Sequence, residues 1–166
     1  MVLWPHGVLF RDSEQKFREK MLKDDVIEAV IGLGPNLFYN SPMEACLLIC
    51  RWDKPKERKE KVLFINAVNE VTRQNAFSYL TDEHVKKIHS AFKGFKDIKG
   101  FSKVVGTDEI FTKKSNLSIP RYINIITESK PSIAVKDAVT VWLEKSSDLK
   151  DSARSLLAEL YNYENN

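Results

Sequence analysis

The chain is predicted to be an α/β protein, a sheet buried on both faces and followed by a mostly helical tail. Three observations carry the prediction. Four apolar, strand-like runs lie within the first 70 residues, and near-continuous runs of this length are what strands covered on both sides look like. Turn formers and charges bound the runs, Asp24-Asp25, Gly34-Pro35 and Lys61 among them, which favours strands over short buried helices. Past Leu80 the apolar residues shift to helical spacing.

The first run is Val2-Leu3-Trp4, followed by the turn Pro5-His6-Gly7 and a short apolar step, Val8-Leu9-Phe10. A helix is expected from about Ser13 to Lys23, with Phe17 and Met21 four apart and Ser13 as its cap. Then come Val26 to Leu33, Ala45 to Cys50 and Val62 to Ala67. So few helices lie among these strands that they cannot cover both faces of a sheet, as though the chain enters an α/β domain midway. Arg51 to Lys61, with six basic and three acidic residues alternating in sign, reads as an exposed hairpin connection.

Thr81 is placed to cap a helix whose apolar stripe is Val85, Ile88, Ala91 and Phe92. From Lys86 to Lys103 six lysines stand against Asp97 alone, the most basic stretch of the chain. It is either a solvated helix face and loop or a phosphate-contacting surface, with Lys93, Lys96 and Lys99 as the candidate contacts. Two helices are expected in the tail, from about Ser132 to Lys145 and from about Asp148 to Glu164. In the second, Leu149, Ala153, Leu156, Leu160 and Tyr163 follow a coiled-coil-like spacing. That seam packs on the same chain or docks on a helix of another subunit.

The 166 residues allow one compact domain, and a chain of that size buries enough surface to need no staple. With 43% hydrophobic and 30% charged residues it is neither disordered nor fibrous, and a net charge of +3 excludes binding to nucleic acid by bulk charge alone. Cys46 and Cys50, four apart on one strand, are too distant for a disulfide and read as small buried hydrophobes. No apolar stretch is long enough for a membrane helix, and the N-terminus lacks the basic flank of a signal peptide, so a cytoplasmic protein that contacts no membrane is expected.

Most catalytic signatures are missing. His6, His84 and His89 have no metal-ligand spacing, and the 6 glycines form no phosphate-cradling turn. One loop has the composition of a base-binding element: Gly34 to Pro42 joins two strands and holds adjacent aromatics, Phe38 and Tyr39, beside Asn36 and Asn40. An exposed aromatic can stack on a base and an amide can read its edge. Alternatively Leu37 and Phe38 tuck under the sheet and the asparagines shape turns.

Taken in order, Pro5 to Arg11, the helix with Glu14, Lys16 and Arg18, Ile27 to Leu33, Pro35 to Tyr39, Ala45 to Ile49, Lys61 to Ala67 and Asn116 to Tyr122 resemble one family. It is the modification (M) subunit of type I restriction-modification systems, an adenine-N6 DNA methyltransferase that uses S-adenosylmethionine. The resemblance covers about residues 2 to 125. It departs at Met43-Glu44, where an Ile-Pro pair is common, and at Asn40 and Ser41, where glycines are usual.

In that family the glycine-rich cofactor motif and the Asn-Pro-Pro-Phe tetrad precede the matched segment. The resemblance therefore implies the C-terminal half of a Rossmann-like methyltransferase domain, with residues 1–75 completing the catalytic sheet, 76–130 a helical and irregular extension, and 131–166 a helical tail. It implies a chain that is inactive alone and does not bind S-adenosylmethionine by itself. Phe38, Tyr39 and Asn36 are the implied contacts of the flipped target adenine. The implied partners are DNA, the specificity (S) and restriction (R) subunits of a type I system and a missing N-terminal half. The competing reading is a non-catalytic module that docks on a specificity subunit or an N-terminal partner, and an unrelated small α/β enzyme comes third.

Overall fold

A computed structural model describes residues 1–38, 41–75, 77–124 and 135–164. The chain divides into two compact units, Met1–Ile126 and Thr127–Asn166.

The first unit is α/β, as the sequence predicts, and its sheet is mixed. Strands β1 (Val2–Pro5), β2 (Ile27–Leu33), β3 (Ala45–Cys50), β4 (Lys61–Ala67) and β7 (Ser102–Gly106) are arranged in the order β1-β3-β2-β4-β7. Strand β2 runs parallel to β4 and antiparallel to β3; β1 pairs antiparallel with β3, and β7 antiparallel with β4. A small hairpin of β5 (Thr72–Gln74) and β6 (Phe77–Tyr79) stands apart from it.

Strand β2 is central, and every one of its residues is buried. Alternate side chains feed two cores, because successive residues of a strand point to opposite faces. Val30, Val62 and Phe64 join Leu9, Leu22, Ile110 and Leu117 on one face, while Ala29, Ile31, Leu63 and Ile65 join Ala91 and Phe101 on the other. On the first face Phe64 stacks on Tyr122, with ring centroids 4.3 Å apart. Burying each such apolar side chain contributes about 1.5 to 3 kcal/mol.

Helix α1 (Gln15–Lys23) covers the first face and α2 (Asp82–Gly94) the second. Thr81 caps α2 as expected: its Oγ1 accepts from His84 N, and His84 Nδ1 accepts from Thr81 N in return. Ser13 caps nothing. Its hydroxyl donates to Glu14 within a 3-10 turn, Asp12–Glu14, that precedes α1. Val8 and Leu9 likewise lie in a 3-10 turn, where Leu9 turns into the core.

Three further expectations are corrected. The segment Arg51 to Lys61 is not a hairpin connection, because β2 lies between β3 and β4 and the segment must cross it. Nor is it simply exposed. Lys54 is buried and bonds Asp25, whose other oxygen accepts from Glu60 N. Residues 76–130 are more than an extension, since β7 completes the sheet edge and Ile119, Tyr122 and Ile123 fill the core. The tail is one helix, α4 (Val135–Glu164), rather than two, because Lys145, Ser146 and Ser147 contain no glycine or proline to break it. Along the expected seam Leu149, Ala153 and Leu156 are exposed; the side chains of Leu160 and Tyr163 lie outside the described residues.

Cys46 and Cys50 are free thiols, Cys46 fully buried between Gly32 and Trp4 on the neighbouring strands. Among the described residues no helix is long and apolar enough to cross a membrane, and no group of His, Cys, Asp and Glu could hold a metal ion.

Candidate target-base loop and basic surfaces

The loop singled out by composition leaves the carboxyl end of β2, which lies beside the carboxyl end of the parallel strand β4. In open α/β sheets this rim is where ligands bind. Asn36 adopts a left-handed backbone (φ 60°), a conformation asparagine tolerates better than most residues. Its carbonyl accepts from Ser78 N at 2.8 Å, which ties the loop to the β5–β6 hairpin. Ser41 N donates to Phe38 O. Tyr39, the second candidate aromatic, lies outside the described residues.

Phe38 is half-buried, and its position combines both sequence readings. One part of the ring packs with Leu37 against the core of the second face. Another lines a pocket of about 210 Å³ with Trp4 and Pro5 of β1, Ser41, Met43 and Glu44. That volume is below the range for drug-sized ligands and suits a single ring system. Glu44 does not stand free beside the loop: its carboxylate lies 3.4 Å from His6 Nδ1, and its carbonyl accepts from His6 N.

Lys93, Lys96 and Lys99 are exposed, but the fold does not bring them to this loop. Lys93 lies in the last turn of α2, where its carbonyl accepts from Arg58, a residue that precedes β4 and so marks the opposite rim of the sheet. Lys96 and Lys99 flank β7: the Lys96 carbonyl accepts from Ser102 Oγ, and Lys99 lines a cleft with Ser102 and Lys103. The Phe38 pocket adjoins β1, at the other edge. Four inter-strand steps of about 4.8 Å separate β1 from β7.

Sequence reasoning missed a buried charge cluster in the strand core. Glu28 sits at a register shift in β2 and is 1% exposed. Its two oxygens accept from Arg51 Nε at 3.0 Å and Arg58 Nη1 at 2.9 Å. Arg58 in turn lies over Phe95 and donates to the Lys93 carbonyl. A lone glutamate inside an apolar run, followed by an arginine-bearing segment, was the available signal.

Comparison with known proteins gives the family of the chain. The sequence profile of the N-6 DNA methylase family matches residues 1–131. The chain belongs to that family. It is 44% identical over 128 residues to the type I restriction enzyme MjaVIII methylase subunit of Methanocaldococcus jannaschii, covering 75% of this chain and 22% of that protein. It is 33% identical over 161 residues to the MjaVII methylase subunit of the same organism, covering 95% of this chain and 27% of that protein. Among solved structures it resembles the type I restriction-modification methyltransferase subunit of Streptococcus thermophilus, with TM-score 0.68, 34% identity, and coverage of 74% of this chain and 26% of that one. The chain thus spans about a quarter of the length of these relatives.

Its glycines test whether the methyl donor of the family fits here. A Cβ at Gly34, just past β2, would lie 2.6 Å from Val68 O and 2.8 Å from Val71 Cγ1. At Gly32 it would lie 2.7 Å from Ile119 Cδ1. Both glycines are used for close packing within the chain and leave no cradle for a nucleoside. Neither Gly32 nor Gly34 therefore offers the family's methyl donor a glycine cradle.

Proposed function

We propose that this chain is the target-base part of an adenine-N6 DNA methyltransferase of the type I restriction-modification kind, corresponding to the C-terminal half of its catalytic domain. Methyl-donor binding and the tetrad that holds the adenine amine belong to the preceding half of such a domain, so the chain neither binds S-adenosylmethionine nor transfers a methyl group by itself. The observation that carries the reading is Phe38, set on the carboxyl rim of a parallel strand pair and facing a ring-sized pocket. A methyltransferase must take its base out of the duplex stack, and an aromatic face replaces the lost stacking by roughly 1 to 3 kcal/mol. Asn36 supports the loop through its backbone, and Tyr39 is its second aromatic.

The partners of such a chain are DNA, the specificity and restriction subunits of a type I system, and the half of the domain that carries the donor site. The fold likeness that covers 96% of this chain, at 17% identity and TM-score 0.54, is to a chain from a study of type I restriction-modification complex assembly. Helix α4 supports docking of this kind, because Trp142, Leu143, Leu149 and Leu156 are exposed along it.

An oligonucleotide with one unpaired 2-aminopurine tests the base site. Phe38→Ala is expected to weaken binding by roughly 5- to 100-fold and to relieve fluorescence quenching. Equal affinity and quenching in both proteins would show that Phe38 does not face the base. Calorimetry with S-adenosylmethionine is expected to give no saturable heat, and stoichiometric binding by this chain alone would overturn the division of roles.

A further inference from the structure

A second cleft, of about 550 Å³, opens on the first face of the sheet and is lined by Arg18, Lys113, Lys114 and Arg121, with Asp12 as its acidic member. The chain brings these residues together from two distant segments. Leu117 N donates to Leu9 O at 2.8 Å, and Arg18 Nε donates to Ser115 O at 2.9 Å, so the start of the chain and the Asn116 to Tyr122 segment form one wall.

Arg18 is 2% exposed, and buried charges are ordinarily paired with an opposite charge. Arg18 is not. Its hydrogen bonds run from Nε and Nη1 to the carbonyls of Ser115, Val8 and Arg11, and Nη2 takes no partner among the described residues. No carboxylate among them makes an ion pair with it. Asp12, Glu14 and Glu19 act on it only from a distance; Glu14 accepts from Ser13 and Glu19 from Gln15. On the far wall Lys113 is held by Glu109 at 2.7 Å and lies over the Tyr122 ring. Four cations thus line the cleft beside one carboxylate, Asp12, and Glu109, just outside the lining, is taken up by Lys113.

The backbone at the mouth is strained as well. Lys114 and Ser115 are consecutive non-glycine residues with φ of 57° and 53°, a pairing that persists only where the surroundings impose it. That turn places the Ser115 carbonyl on Arg18 and leaves Lys114 at the rim.

We propose that this cleft is a phosphate site, with Arg18 as its buried charge and Lys114 and Arg121 as its rim contacts, and that the phosphate belongs to the backbone of the DNA whose base enters the Phe38 pocket. Arg18 Nη2, the guanidinium nitrogen that takes no partner among the described residues, can donate a charge-assisted hydrogen bond to an oxyanion in the cleft. The DNA half of the proposal rests on the proposed function. Its geometric support is the shared wall: Trp4 and Pro5 line the Phe38 pocket, Phe10 and Asp12 line the basic cleft, and one short segment at the carboxyl rim joins them. The lysines beside β7 have no such connection to the loop.

The amide signals of Lys113 to Asn116, followed by NMR during titration with inorganic phosphate at constant ionic strength, test the site. Saturable shifts are expected in the native chain and their loss in the Lys114→Gln, Arg121→Gln double variant, whose changes sit at the rim. Linear drift alike in both proteins would overturn the site. Arg18→Lys, which keeps the charge but loses the Nη2 donors, is expected to weaken phosphate at least tenfold; should it fail to fold, the rim variant decides.

Salt titration of duplex DNA binding then assigns the source. The double variant is expected to bind every sequence more weakly and to lower the slope of log affinity against log salt by about 2. Saturable phosphate binding with an unchanged DNA slope would leave a free-phosphate site and overturn the DNA assignment. The Phe38→Ala comparison judges the base site separately.

Discussion

Glu28 and Arg18 are buried to the same depth, 1% and 2% exposed, and their surroundings treat them in opposite ways. Glu28 receives an arginine on each oxygen, and one of those arginines is fixed by an aromatic ring and a helix carbonyl. Arg18 receives only carbonyl dipoles, which satisfy some of its donors without cancelling its charge. The first arrangement is closed. It holds the crossing segment Arg51 to Lys61 against the sheet and has no capacity for a ligand. The second keeps a net charge at the wall of a cleft, which is what an anion site requires. Burial of a charge therefore does not by itself indicate function; whether its counter-charge comes from the same chain does.

The comparison can be broken most forcefully on the closed side. Replacing Arg51 and Arg58 together by alanine leaves Glu28 buried without a partner, and chemical denaturation should show a loss of about 3 to 5 kcal/mol. A loss near that of two surface substitutions would mean that Glu28 draws its compensation from elsewhere.

A smaller effect sharpens the same point with a group that can shed its charge. Burial pushes the Cys46 thiol up to about 11, so the folded chain holds it neutral while the unfolded chain ionises first. The stabilisation is full below the ordinary thiol value and is lost as pH rises from about 9 toward 11, by roughly 3 kcal/mol. Tyr122, pushed up to about 12 chiefly by burial, adds the same sign above pH 10. Denaturation midpoints measured across this range should fall, and Cys46→Val should remove the part between about pH 9 and 11. A slope that survives this substitution would assign it to Tyr122 or to other groups.

The smallest expected effect concerns Ser78, whose buried Oγ has no hydrogen-bond partner among the described residues. Because an unpaired hydroxyl gains nothing from burial, Ser78→Ala should be neutral or stabilising by up to about 1 kcal/mol. A clear loss of thermal stability would reveal a partner for Ser78 and, with it, an additional tie on the Phe38 loop.

Much of this was legible in the residues. The apolar runs at Val26 to Leu33, Ala45 to Cys50 and Val62 to Ala67 became β2, β3 and β4, because strands buried on both faces need apolar residues at consecutive positions. Thr81 became a cap, and the Phe38 loop leaves the carboxyl end of the parallel pair β2 and β4. Strand β7 escaped notice because Ser102-Lys103-Val104-Val105-Gly106 is short and half polar, as an edge strand can be. The unbroken α4 escaped because polar residues at its centre resemble a loop, although none of them breaks a helix.

The sequence by itself determined the α/β class, the family and the loop that carries Phe38, since these follow from local pattern and from ordered motifs. Tertiary structure decided which charges meet. Lys93, Lys96 and Lys99 stand close together in the chain, and the fold leaves them at the far rim and edge of the sheet. Arg18 and Ser115 lie 97 residues apart and share a hydrogen bond. Proximity along a chain reflects covalent geometry, whereas the electrostatics of a site depend on distance in space and on the water that burial removes.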